Sequence, residues 1–158
     1  RQGESLQQLT SGAGINVSPS FSPDGQSIAF VSDRSGKPNV YVMSAGGGQA
    51  KRLTFKNSEN SEPAWSPKGD EIAFTGLQGG TYQLFVMDRN GGNARQLSAG
   101  GGNYESPTWS PDGRLIAVTR KSGSHSEICV VSKNGKDVRT LFTLKGNQSY
   151  PQWSGRLP

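Results

Sequence analysis

This chain has little of what catalysis or covalent stapling requires. It holds one cysteine and one histidine in 158 residues. A single cysteine excludes an internal disulfide, and together the two residues supply too few ligands for a structural zinc site. The histidine stands in Ser124-His125-Ser126-Glu127. Neighbours along a strand or turn point apart, so these residues do not form a nucleophile–base–carboxylate triad. No Gly-x-Ser-x-Gly elbow is present. Long apolar runs are missing, which excludes a membrane-spanning helix, and no stretch shows helical periodicity. Apolar residues make up only 31% of the chain and glycines number 22, yet there is no long charged or low-complexity tract. That combination fits many short strands joined by tight turns rather than disorder.

Two loops imitate ligand sites. Gly46-Gly47-Gly48-Gln49-Ala50-Lys51 resembles a phosphate loop but no helix follows it, and Asp88-Arg89-Asn90-Gly91 hints at a calcium loop. A hairpin turn explains each. No catalytic residue, metal site or cofactor is expected. The formal net charge of +5 raises the question of nucleic acid, but the positive residues are dispersed. Lys51, Arg95 and Arg139 occupy one place in successive units, where they read as charges guarding an edge strand. Neither nucleic-acid binding nor membrane insertion is expected. Cys129 sits in an apolar strand and reads as a small core residue.

What the chain does have is a period. Pro-x-aromatic-Ser begins at Pro19, Pro63, Pro107 and Pro151, each 44 residues after the last. Three copies run on into Ser-Pro-Asp/Lys-Gly turns at 22–25, 66–69 and 110–113, then into Ile-Ala-Phe or Ile-Ala-Val. A fixed period of this size with strand-like content marks a repeat architecture, in which no unit buries its own faces alone. Each unit reads as four antiparallel strands, in the second unit A (63–66), B (71–75), C (82–87) and D (94–97). Ser-Pro-Asp-Gly makes the A–B hairpin, and Asn90-Gly91 and Asn134-Gly135 mark type I′ C–D hairpins. In strand B, Ile72 and Phe74 face one way and the small Ala73 the other, so sheets can stack closely. Trp65 and Trp109 are expected to wedge between adjacent sheets.

Radial stacking of such sheets is the β-propeller solution; a solenoid coil is usually shorter and a sandwich does not repeat so strictly. The expected fold is all-β, a propeller fragment over 1–158. Its blades span about 19–62, 63–106 and 107–150, with a leading D strand at 6–10 and a trailing A strand at 150–154. Three blades fall below the usual minimum of four, so part of a larger ring, or copies that self-associate to complete one, is expected.

The repeat Pro-x-Trp-Ser-Pro-Asp-Gly-x-x-Ile-Ala-Phe, followed by Val-Tyr-Val-Met and Gly-Gly-x-x-Arg-x-Leu-Thr, resembles that of the TolB-like propeller family. The likeness runs from Leu6 to Ser154. Departures are mild: Lys68 stands for the turn Asp, and Phe21 for Trp. The resemblance implies the C-terminal half of a six-bladed ring, a periplasmic location, and a non-enzymatic interaction module of the Tol–Pal cell-envelope system. It also implies the peptidoglycan-associated lipoprotein Pal as partner. Propellers of prolyl-oligopeptidase-type and tricorn-type serine peptidases carry similar repeats, which leaves a substrate-gating propeller as the alternative. In a meander the D–A loops share one side of the ring, and they are the long, varied ones. Asn60, Ser61, Glu62, Tyr104, Glu105, Ser106, Ser149 and Tyr150, just before the A-strand prolines, are the candidate partner-binding residues.

Overall fold

The computed structural model describes residues 6–12, 14–135, 138–141 and 145–154. Among these lie twelve strands in three four-stranded antiparallel meanders, and no helix. The first sheet is β1 (Asn16–Phe21), β2 (Ser27–Ser32), β3 (Asn39–Ser44) and β4 (Lys51–Arg52). The second is β5 (Asn60–Trp65), β6 (Glu71–Gln78), β7 (Thr81–Asp88) and β8 (Arg95–Gln96). The third is β9 (Asn103–Trp109), β10 (Leu115–Ser122), β11 (His125–Ser132) and β12 (Val138–Thr140). The all-β propeller fold is as the repeat predicts.

The sheets stack through two apolar seams. Ile72, Phe74, Phe85 and Met87 of the second sheet pack on Ala29, Val40 and Leu53 of the first. Leu84, Val86 and Leu97 meet Trp109, Ile116, Val118 and Cys129 of the third. Alternating side chains thus feed opposite seams, and the small Ala29 and Ala73 let the sheets approach. Cys129 is a fully buried core residue, and burial pushes its thiol pKa up. Both expected tryptophans are wedged: Trp65 in the first seam, Trp109 in the second. Phe21, their counterpart in the first sheet, meets no further sheet among the described residues and is 61% exposed.

Several details depart from the sequence reading. Strand A starts three to four residues earlier than the proline, and strands B and C are longer than expected. Strand D is shorter, two residues in each of the first two sheets. Residues 6–10 and 150–154, expected as single strands, form no ladder. A strand needs a neighbour, and at 6–10 and 150–154 no described strand lies alongside to supply backbone partners. The Asn-Gly hairpins are not type I′. Only Gly91 and Gly135 take positive φ, 88° and 72°, while Gly91 N–H donates to Asp88 O and Asp88 N–H to Gly92 O, each at 2.8 Å. This is a type I turn closed by a left-handed glycine. The two-residue turn with both φ positive is Gly79-Gly80 between β6 and β7, at 58° and 82°.

The A–B turns show how the Lys68 departure is accommodated. Ser22 and Ser110 donate through Oγ to Asp24 and Asp112 Oδ1, at 2.5 and 2.6 Å. Where Lys68 replaces that aspartate, Ser66 Oγ donates instead to Asp70 Oδ1 at 2.5 Å. The serine hydrogen bond comes first among the causes that hold each of the three carboxyls below the ordinary aspartate range. Arg95, read as an edge guard, bridges two sheets: its guanidinium pairs with Glu71 of its own sheet at 2.7 Å and donates to Lys133 O, just after β11, at 3.0 Å, and Glu71 also takes the Lys133 ammonium at 3.0 Å. One turn glycine is under particular constraint. A Cβ on Gly91 would come within 2.7 Å of Leu53 O, whereas one on Gly25 meets open space. Gly91→Ala is therefore expected to lower the urea midpoint clearly more than Gly25→Ala, although both glycines hold positive φ. Equal effects would show that strain in φ alone, not the inter-sheet approach, sets the cost.

Candidate functional site

The earlier start of strand A relocates most of the candidate residues. Asn60, Ser61 and Glu62 lie in β5, and Tyr104, Glu105 and Ser106 in β9, rather than in loops. Only Ser149 and Tyr150 remain on irregular chain, both exposed, Tyr150 at 72%. Each strand A carries a bulge at this point: the pairing register slips between Val17 and Ser20, Ser61 and Ala64, and Glu105 and Thr108. The residue just before each repeat's proline takes positive φ: Ser18 53°, Glu62 51°, Ser106 55° and Tyr150 55°. A residue before proline ordinarily avoids this region, and a non-glycine there costs on the order of 1–2 kcal/mol.

Side chains from the preceding sheet hold two of these strained positions. Ser106 N–H donates to Glu62 Oε2 at 2.9 Å, one repeat earlier. Tyr150 N–H donates to Thr119 Oγ1 at 3.0 Å. Thr75, which stands one repeat before Thr119, hydrogen-bonds Ser61 Oγ at 3.0 Å and donates to Glu62 Oε2 at 3.3 Å. The bulge thus turns position 62 toward the start of the next sheet, where the inner strands β5 and β9, strand A of their blades, meet.

Two of the eight residues are not on that surface. Asn60 is 0% exposed. Its amide donates to Asn39 Oδ1 at 3.2 Å and Lys56 O at 2.8 Å, and accepts from Asn57 Nδ2 at 2.9 Å. It fastens the second sheet to the first through Asn39, which Thr54 Oγ1 also engages at 3.0 Å. Tyr104 is 2% exposed, packed with Ala73, Leu84 and Trp109 in the second seam. Both are structural, and the reading of them as surface residues is corrected. Polar and aromatic side chains near a loop do not announce their burial; inward alternation along the longer β5 and β9 explains it.

The remaining candidates join groups that the sequence reading missed. Ser61, Glu62 and Glu105 line a cavity of about 190 Å³ together with Thr75 and Tyr82. Tyr82 O–H donates to Glu59 Oε2 at 2.7 Å. Its pKa is pushed up to about 12, first by that hydrogen bond, then by burial and the charges of Glu59, Glu62 and Glu105. Lys121 pairs with Glu105 at 2.5 Å, which raises the lysine's own pKa. Three carboxylates against one lysine make this mouth acidic on a chain whose net charge is +5.

The tyrosine shift gives a pH prediction. A folded pKa above the unfolded value near 10 favours the protonated phenol in the native state. That contribution is intact below pH 10 and is lost as pH rises from about 10 to 12. In ultraviolet titration, the phenol missing from Tyr82→Phe should be one that ionises late. Glu59→Gln should bring it back toward 10. A Tyr82 that titrates at its ordinary value would contradict the cluster.

Among the described residues no group of His, Cys, Asp and Glu is placed to hold a metal ion, and no helix is long and apolar enough to cross a membrane.

Comparison with known proteins agrees with this geometry. The Tol-Pal system protein TolB of Bordetella pertussis is 46% identical over 48 residues, 30% of this chain and 11% of that protein. A TolB-like structure from Agrobacterium tumefaciens superposes with a TM-score of 0.84 at 26% identity, over 92% of this chain and 53% of that one. TolB from Acinetobacter baumannii gives 0.73 at 31% identity, over 89% and 36%. The chain therefore spans about half or less of these relatives. A puromycin hydrolase shares the fold alone, with a TM-score of 0.74 at 15% identity over 94% of this chain and 25% of that one. The TolB beta propeller domain family matches residues 1–157. The chain belongs to the TolB beta propeller domain family.

Proposed function

We propose that the chain is a non-enzymatic protein-interaction module of the cell envelope, docking its partner on the inner-strand surface around Glu62, Glu105, Ser106 and Tyr150. The observation that carries this reading is the acidic mouth: Glu59, Glu62 and Glu105 converge on Tyr82 in a chain that is otherwise basic. A surface whose charge opposes that of its molecule selects a partner with basic groups and rejects like-charged ones. Ser61, Ser149 and the exposed Tyr150 add hydrogen-bonding and aromatic area of the kind interfaces favour. The similarity to Tol-Pal system protein TolB supports an envelope setting, with the periplasm as compartment and Pal as the partner.

Calorimetric titration of the full chain with a soluble Pal domain tests this. Saturable binding that weakens as salt is raised is expected. Heats no larger than dilution at high protein concentration would refute Pal as partner. The fold shared with puromycin hydrolase favours a second reading, a propeller gating substrate entry to a hydrolase. On that reading, adding this chain in excess would leave Pal unbound, while peptides would be retarded by it.

A further inference from the structure

A second concavity lies apart from the acidic mouth. A groove of about 870 Å³ opens between the first and second sheets, beside β7. Leu53, Phe74, Phe85 and Met87 form its floor, with Leu77 and the exposed Phe55 as walls. The Phe74 and Phe85 rings stack at 5.4 Å and 19°. Lys37 and Lys56 stand at the rim, both exposed. Among the described residues neither pairs with a carboxylate. The nearby carboxylates are engaged: Glu59 accepts from Tyr82 O–H at 2.7 Å, and Asp88 from Asn93 Nδ2 at 2.7 Å.

The repeat itself shows what is special about this seam. One period on, Asn60 becomes Tyr104 and Gly76 becomes Arg120. There the tyrosine is buried in the seam and the arginine is paired with Glu127. In the first seam the small Asn60 is drawn aside by Asn57 and Asn39, and Asn57 takes φ 65° so that its loop lies down on Gly76. A Cβ at Gly76 would collide with the Asn57 amide. The same scaffold is thus filled by a tyrosine and an arginine at the margin of one seam and left concave at the margin of the other, above a buried aromatic floor and beside two cations that pair with no carboxylate among the described residues.

The geometry points to a binding site for a small amphipathic anion, a molecule with an apolar or aromatic body and one carboxylate or sulfonate head. The volume falls within the range of small-molecule sites. The body lies against Leu77 and Phe55, above the buried Phe74 and Phe85, and the head meets Lys37 and Lys56. The groove shares only Asn60 with the candidate partner residues, so this site and the docking surface stand or fall separately.

Fluorescence titration of the full chain with anilinonaphthalene sulfonate, and with its neutral relative phenylnaphthylamine, tests the assignment. One saturable site is expected for the sulfonate. The double variant Lys37→Glu/Lys56→Glu should weaken it about tenfold and leave the neutral probe nearly unchanged. Leu77→Ala should weaken both probes. Phe21→Ser, at an exposed position of the first sheet outside the groove, should affect neither. Absence of saturable binding, equal sulfonate affinity in the double lysine variant, or loss of binding in Phe21→Ser would each overturn the proposal. Both lysines are exposed, so the double variant is expected to fold, which far-ultraviolet circular dichroism checks.

Discussion

Replacing Trp109 with alanine is expected to lower the stability of the chain by about 3–5 kcal/mol. Trp109 is wedged between the second and third sheets against Ala73, Leu84, Ile116 and Val118. Its indole N–H also donates to Ala64 O at 3.0 Å, so it ties strand A of one blade to strand A of the next. Truncation leaves both a cavity and an unpaired carbonyl. Urea unfolding of the two proteins measures the difference. A loss under about 1 kcal/mol would mean that the seam collapses without cost and the blades are not held by this wedge. Phenylalanine at the same places separates packing from hydrogen bonding. Trp153 repeats the bond to Thr108 O at 3.0 Å, but the buried Trp65 N–H has no acceptor among the described residues. Trp65→Phe should therefore be close to neutral, while Trp109→Phe should lose about 1 kcal/mol more, the net worth of one hydrogen bond.

Charge reversal in the acidic mouth is expected to weaken partner binding by roughly a hundredfold. Glu62→Gln with Glu105→Lys is the informative combination. The glutamine amide would keep an oxygen to accept from Ser106 N–H, so the strained bulge retains its support while the charge is removed. Reversal at 105 breaks the pair with Lys121 and leaves two cations facing each other on the surface. Such a half-exposed pair contributes little to stability. Binding should fall while the unfolding midpoint hardly moves, and the remaining affinity should lose its salt dependence. Wild-type affinity in this variant would remove the acidic mouth from the account of recognition.

Much of the architecture was legible because it rests on repetition. Trp65 and Trp109 recur with the period, and a side chain that recurs at a fixed place serves packing. The alternation of Ile72, Ala73 and Phe74 correctly assigned opposite faces. Asn-Gly pointed to the right hairpins with the wrong turn, since an extra residue lets Arg89 and Asn90 keep negative φ and leaves the left-handed position to Gly91 alone. The site was less legible. Glu62 and Ser106 precede proline, which argues for extended backbone, yet both are left-handed, and the Glu62 carboxylate of the second sheet holds Ser106 N–H of the third. Asn60 and Tyr104 look like surface residues one at a time; only the extra length of β5 and β9 turns them inward. Tyr82 stands on strand C, some twenty residues from Glu62 and Glu105, and no local pattern joins them. A concentration of glutamates at 59, 62 and 105 in a basic chain was the available signal.

The most direct measurement is hydrogen exchange of the full chain, alone and saturated with a soluble Pal domain. Slowed exchange confined to 57–62, 103–106 and 148–150 is the predicted result, with the A–B turns at 22–25, 66–69 and 110–113 unchanged. Protection at those turns instead, or no protection anywhere, would contradict docking on the inner-strand surface.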